Sequence, residues 1–423
     1  MEQLHRDQCG ILSRINVFSR RHWIPPGGLL FSQACHGLSW VAALWIGARG
    51  DAFALTLPVV GWIHLVALGW FTTAALSVLL FAIPQMADRP WRFEGAARAA
   101  LGWFAAGVGL FVLALFAASR FAGAAAALAY AALLVYLFTA WATLLQPGEA
   151  SRAQRAIARA FFVTLLVLAI VATLGLVLAL GVSGAPLGAW SARLPAAHGN
   201  LALFGWLSLL VYGVSTRTVR AITGEKPSFW THVVVGSATF FGALALASGL
   251  AAESGGTAWA GAILLGIGGV VYFLDTLRVV LRASVPHVPP QAFIGASVVW
   301  LLVALLVGGC ALAGRASALA YGFVMLAGWI GQMVNAHVLH IGTRVIATIY
   351  RGPDDETPPE ALLDQRLEWA AFGCFQLGVA LIAGGLWFTN SGPVIAGSVL
   401  GIAGWVAMIS ALRGARLRAI GAA

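Results

Sequence analysis

Twelve stretches of this chain, at 29–49, 57–84, 97–119, 121–145, 159–183, 198–222, 229–251, 258–281, 292–313, 317–347, 366–388 and 391–412, are apolar and long enough to cross roughly 30 Å of hydrocarbon. A bilayer offers no water to an unpaired N–H or C=O, so a spanning segment must satisfy its own backbone. Continuous apolar runs of this length do so as helices. The expected fold is therefore all-α: a polytopic membrane domain over 29–412, with short tails at 1–28 and 413–423. Hydrophobic residues make up 60% of the 423 and charged residues 9%, and a mean hydropathy of +0.89 excludes an ordinary soluble domain.

The basic residues orient the spans. Of 25 Lys and Arg, all but Arg49, Arg120, Arg193 and Arg315 fall in the tails or in the loops after helices two, four, six, eight and ten. Basic loops stay in the cytoplasm, and with an even number of spans both termini are expected there, in a bacterial-type inner membrane. The net charge of +10 is spread thinly over these loops. It fits anionic lipid headgroups in the bilayer rather than nucleic acid. The first twenty-eight residues show no apolar core followed by a small-residue cleavage site, so a retained N-terminus is expected.

A Gly-Trp signature recurs on three of the spans. His64-Leu-Val-Ala-Leu-Gly69-Trp70 on helix two returns as His198-Gly-Asn-Leu-Ala-Leu-Phe-Gly205-Trp206 on helix six, and as Tyr321-Gly-Phe-Val-Met-Leu-Ala-Gly328-Trp329 on helix ten. The spacing implies three repeats of about four helices each. Glycine before each tryptophan permits close backbone approach or a flat ring against the helix, and helix packing explains it as well as a macrocycle edge does.

Histidine inside a bilayer is costly and points to ligation of haem or metal. Helices two, six and ten run inward, which places His64 in the outer third, His198 at the outer mouth, and His337 and His340 toward the cytoplasmic half. His232 starts helix seven on that inner side, and His36 lies near the middle of helix one beside Cys35. Two layers follow: His64 and His198, with His36 a candidate third, and His337, His340 and His232. For His64 a hydrogen bond to a neighbouring carbonyl stands beside ligation, and His198, after Pro195, has a helix-capping alternative. His337 and His340, at i and i+3 on one face, suit a shared metal or one ligand with one hydrogen-bonding neighbour. His232 also fits an interfacial role.

Other groups read more simply. Asp275 is expected to pair with Arg278 at i+3, and no relay of buried carboxylates or lysines is visible. Trp62, Trp190, Trp230, Trp300 and Trp387 fall near span ends, where interfacial anchors belong. Cys9, Cys35, Cys310 and Cys374 form no Cys-x-x-Cys pair, so disulfides are not expected. Arg351 to Glu360 reads as an acidic, proline-rich linker.

With twelve helices in three four-helix arcs and histidines on helices two, six, seven and ten, the chain resembles subunit I of the haem-copper oxidase superfamily, which contains oxygen and nitric oxide reductases. More closely, it resembles short subunit-I-like proteins with a His-x-x-x-x-Gly-type motif on helix two and a His-x-x-Leu-x-x-x-Gly-Trp motif on helix six. Ala197-His198-Gly199-Asn200-Leu201-Ala202-Leu203-Phe204-Gly205 resembles the haem-bearing His-Gly-His helix of nitric oxide reductases, with Asn200 at the place of the second histidine. The resemblance implies His64 as a low-spin haem ligand, with His337 or His340 opposite it on helix ten. It also implies a copper site drawing on helices six and seven, where this chain offers His198 and His232. The superfamily's helix-ten pair is His-x-His and its helix seven carries two adjacent histidines; neither is present, so a complete oxygen-reducing centre does not assemble. The expectation is a haem- or copper-binding inner-membrane redox protein linked to respiration or nitric oxide metabolism, served by a redox partner or cytochrome subunit and open to O2 or NO. The alternative is a cofactor-free membrane facilitator or an oxidase assembly factor.

Overall fold

The computed structural model describes residues 26–87, 89–146, 152–225, 228–283, 288–352 and 359–421. Most of the N-terminal tail, Lys226, His287 and most of the proline-rich linker lie outside them, as does the side chain of Trp230. Twelve helices are long and apolar enough to span a bilayer: α1 (Gly27–Arg49), α2 (Leu57–Ala87), α3 (Glu94–Phe116), α4 (Ala122–Leu144), α5 (Gln154–Val182), α6 (Trp190–Ser215), α7 (Thr231–Ala251), α8 (Gly255–Leu281), α9 (Val288–Leu312), α10 (Ala318–Arg351), α11 (Gln365–Trp387) and α12 (Ser391–Ala419). No strand occurs among the described residues. The chain is an all-α, multi-pass membrane protein. The last helix continues to Ala419, so most of the expected C-terminal tail is helical.

The helices form three units of four, α1–α4, α5–α8 and α9–α12. In each unit the third and fourth helices make the tightest pair, and the fourth packs on the first helix of the next unit, with α12 closing the circle on α1. Small residues allow the close pairs, as where Gly242 faces Gly261 between α7 and α8, and Gly378 faces Gly397 between α11 and α12. Trp405 Nε1 donates to the Gln33 carbonyl at 3.0 Å, tying α12 to α1. Large apolar side chains such as Leu113, Phe138, Ile263, Leu274, Leu306 and Leu377 are exposed, as a lipid-facing rim requires.

The second helix of each unit, α2, α6 and α10, lies inside this rim and departs from α-geometry at the same place. π-Helical turns cover Leu65–Thr72, Leu201–Ser208 and Val324–Ile330, each centred on a Gly-Trp pair. A π-turn widens the helix and loosens its winding, and such turns are rare enough that three matching ones mark a repeated device. Side chains just after each tryptophan brace it by bonding to the carbonyl five residues back. Thr72 donates to Ala67 O at 2.8 Å and Thr73 to Leu68 O at 2.8 Å. Ser208 donates to Leu203 O at 2.9 Å, and Gln332 Nε2 to Ala327 O at 3.0 Å. Trp70, Trp206 and Trp329 are among the largest fully buried side chains in the molecule.

Two of the expected interfacial tryptophans are packing residues instead. Trp62 is buried against Phe323, with ring centroids 5.8 Å apart. Trp300 lies flat against Gly328, where a Cβ would come within 3.0 Å of its ring, and its Nε1 donates to Gln376 Oε1 at 2.8 Å. Gln376 passes the bond on to Gln332 at 2.7 Å, so a satisfied polar chain joins α9, α11 and α10. Trp190 and Trp387 are exposed, as anchors are. Asp275 and Arg278 pair at 2.6 Å, and Glu368, in the first turn of α11, is fully buried near the arginine-rich side.

Candidate functional site

Counting from the tryptophan of each repeat shows how α2, α6 and α10 meet. Eight residues before it stand Trp62, His198 and Tyr321; six before it stand His64, Asn200 and Phe323. Each residue of the first set contacts the second-set residue of the preceding helix around the circle. The His198 ring lies 6.2 Å from that of His64, nearly parallel at 14°. Tyr321 donates its hydroxyl proton to Asn200 Oδ1 at 2.9 Å. Trp62 meets Phe323, which closes the ring. The three inner helices thus surround a pseudo-threefold axis, and one of its three equivalent contacts carries two imidazoles.

That contact lies near the arginine-poor end of the bundle. His64 donates from Nδ1 to the Val60 carbonyl at 2.8 Å, one turn back on its own helix. His198 donates from Nδ1 to the Val171 carbonyl of α5 at 3.1 Å. A carbonyl only accepts, so each Nδ1 carries the proton and, in the neutral ring, each Nε2 keeps its lone pair. A carbonyl bonded to Nδ1 fixes the tautomer and ring orientation in which a histidine offers Nε2 to a metal. The Phe111 ring stands edge-on to His64 at 5.3 Å, which limits rotation of that imidazole.

The other histidines are placed differently. His337 donates from Nδ1 to the Met333 carbonyl at 2.7 Å, and its Nε2 accepts from Thr218 at 2.6 Å, so both nitrogens are taken. His340 Nε2 accepts from Arg344 at 3.1 Å, and that arginine also reaches Glu360 at 3.1 Å. His232 donates from Nδ1 to the Ser228 carbonyl at 2.7 Å. It lines a cavity of about 10 Å³ with Ser215, Tyr272, Asp275 and Thr276, room for about one water. His36 is fully buried on α1, stacked on Trp70 and apart from the His64–His198 pair.

A haem clamped between α2 and α10 in the superfamily's manner does not fit these residues. The ring partners of His64 are His198 and Phe111, while His337 and His340 spend their nitrogens on protein hydrogen bonds. Among the described residues no group of three or more His, Cys, Asp or Glu is arranged to hold a metal. The protein's contribution at the outer contact is two imidazoles. Cys35, Cys310 and Cys374 are free thiols.

The sequence placed His198 in one outer layer with His64; their direct ring contact was less legible because the two histidines stand at different distances from their tryptophans. Aligned on Gly-Trp, His198 falls opposite Trp62 rather than His64, so the repeat by itself does not mark the two as a pair. The offset of two is the signal, since it matches one helix's register to the next. No protein-family model and no curated protein matches this chain.

Proposed function

We propose that this chain is a copper-binding redox protein of a bacterial-type inner membrane, built on the architecture of haem-copper oxidase subunit I, with both termini in the cytoplasm. His64 and His198 would hold the metal in the outer half of the bilayer. The observation that carries this reading is the near-parallel pair at 6.2 Å with both Nδ1 atoms bound to backbone carbonyls. Imidazole suits copper, zinc, iron and nickel. A structural zinc site takes four protein ligands and a catalytic one three, whereas cuprous ion is content with two, and as a monovalent cation it costs least to bring among apolar helices.

Copper bound there supplies a one-electron centre in reach of small gases such as O2 or NO, with electrons coming from a redox partner or cytochrome subunit. The chain's own residues do the positioning. Val60 and Val171 fix the two imidazoles, and Phe111 restrains one of them. The test is cuprous loading of the purified protein in nanodiscs, with copper retained against a competing chelator as the measurement. Stoichiometric copper is expected in the wild type and in His232→Ala, and loss of it in His64→Ala and in His198→Ala. Copper that survives both losses sinks the proposed site. A Soret band that disappears in His64→Ala would give the site to haem, and a protein that binds neither would be a facilitator or assembly factor.

A further inference from the structure

Below the histidine contact the three tryptophans form a second ring. Trp206 Nε1 donates to Thr72 Oγ1 of α2 at 3.1 Å, and Trp329 Nε1 donates to Ser208 Oγ of α6 at 3.1 Å. Both acceptors stand two residues after the tryptophan of the preceding repeat. The matching position on α10, which should receive Trp70, is Gly331. It does face Trp70: a Cβ built there would lie 3.4 Å from Cη2 of that ring. The glycine brings no hydroxyl, and Trp70 Nε1 is buried without a partner.

More unpaired polar atoms lie on the neighbouring helices, two of them in the aromatic cluster around Trp70. His36 is stacked on Trp70 at 3.4 Å and 9°, with Phe375 on its other side at 5.4 Å. It is completely buried, and neither of its nitrogens has a partner. Trp40, one turn along α1, also has an unpartnered buried Nε1. One turn beyond Gly331 on α10, Asn335 has an unpartnered buried Oδ1. Each such group, left dry, loses the hydrogen bonds it had in water, and hydrocarbon outside the bundle can satisfy none of them.

We propose that the missing third rung is a built site for a one-oxygen guest, water, bound at the edge of the Trp70–His36 stack. Rings stacked face to face present their edges side by side, so a single oxygen at that rim accepts from Trp70 Nε1–H and donates to the unprotonated nitrogen of His36. Its second proton is left for a further acceptor, and one turn beyond Gly331 on α10 Asn335 carries an unpartnered buried Oδ1. A guest of this chemistry must both accept and donate, which excludes apolar gases and anions. The site is independent of the metal reading at His64 and His198.

The experiment is solution NMR of the full chain in nanodiscs with 15N-labelled tryptophan, reading magnetisation transfer from solvent water to each indole N–H. Trp70→Phe identifies the Trp70 signal. A water cross-peak is expected at Trp70, with none at Trp206 and Trp329, whose protons are taken by Thr72 and Ser208. Gly331→Ser supplies the absent hydroxyl, with a slight adjustment of the Leu326 carbonyl 3.1 Å away. It should abolish the cross-peak and shift the Trp70 resonance toward those of the other two indoles, whereas Gly331→Ala should keep it. Should Gly331→Ser fail to fold, His36→Phe decides, since removing the imidazole should also abolish the cross-peak. A Trp70 indole without water contact in the wild type overturns the proposal, as does a cross-peak that persists unchanged in Gly331→Ser or His36→Phe.

Discussion

Ser208 and Thr72 each serve two structures at once. The Ser208 hydroxyl donates backward to Leu203 O, bracing a π-turn, and accepts from Trp329 of the next helix. Thr72 does the same between Ala67 O and Trp206. Because both tryptophans are buried, losing the acceptor leaves an indole N–H that water cannot reach. Ser208→Ala is therefore expected to destabilise the fold by about 1–3 kcal/mol, seen as a lower midpoint in denaturant titration, while Ser208→Thr holds near the wild type. Equal midpoints for the alanine and threonine variants would mean that the Trp329 bond contributes nothing. The sequence displayed these residues and the repeat that contains them. It did not display which neighbour each one faces, since a repeat fixes equivalence between helices while contact depends on their rotation about the shared axis.

At the scale of the helix, the π-turns set that rotation. A π-helical stretch winds less per residue than an α-helix and so holds the equivalent of one extra residue. Deleting Ala202, inside the turn of α6, should let the segment relax to α-geometry with His198 and the lower half of the helix still facing their neighbours. Deleting Val211, in the regular part of α6, should instead rotate everything beyond it by about 100°. Folded yield and copper retention are thus expected to survive the first deletion and fail in the second; equal loss in both would show that the turn carries no spare residue. A related expectation concerns Gln376, the middle of the chain from Trp300 to Gln332. Gln376→Leu leaves the half-buried Trp300 indole and the buried Gln332 amide oxygen unpaired, and a drop in thermal midpoint larger than that of the lipid-facing Leu377→Ala would register it. Neither the π-turns nor this polar chain was legible beforehand, because apolar periodicity reports only that a segment is helical and long.

For the whole molecule, the distribution of basic residues is its largest-scale pattern. Four arginines oppose it, and two of these are neutralised by ion pairs: Arg49 with Asp51 and Arg193 with Glu253, each at 2.8 Å. The orienting bias counts Lys and Arg rather than net charge, so these pairs leave it as four against twenty-one. A reporter fused after Ala423 is expected to be active only in its cytoplasmic form, and one inserted at the α3–α4 turn only in its exported form. The reverse pattern would invert the bundle and move the His64–His198 contact to the cytoplasmic half.

Twelve spans, three repeats, an all-α bundle and a charge asymmetry are properties of the chain read in order, because hydrocarbon thickness and backbone satisfaction act on each segment by itself. The tertiary structure decided which histidines meet. His64 and His198 are separated by four helices' worth of sequence, and their contact follows from the packing of α2 against α6 and from the turns that rotate them. It also decided that Trp62 packs inward and that His337 is bonded to Thr218. Gly331, in sequence only one more small residue on a membrane helix, becomes a missing hydroxyl once two neighbouring helices show what the third position holds. Such facts concern the relative placement of surfaces, and one chain without its partners' orientations contains them only implicitly.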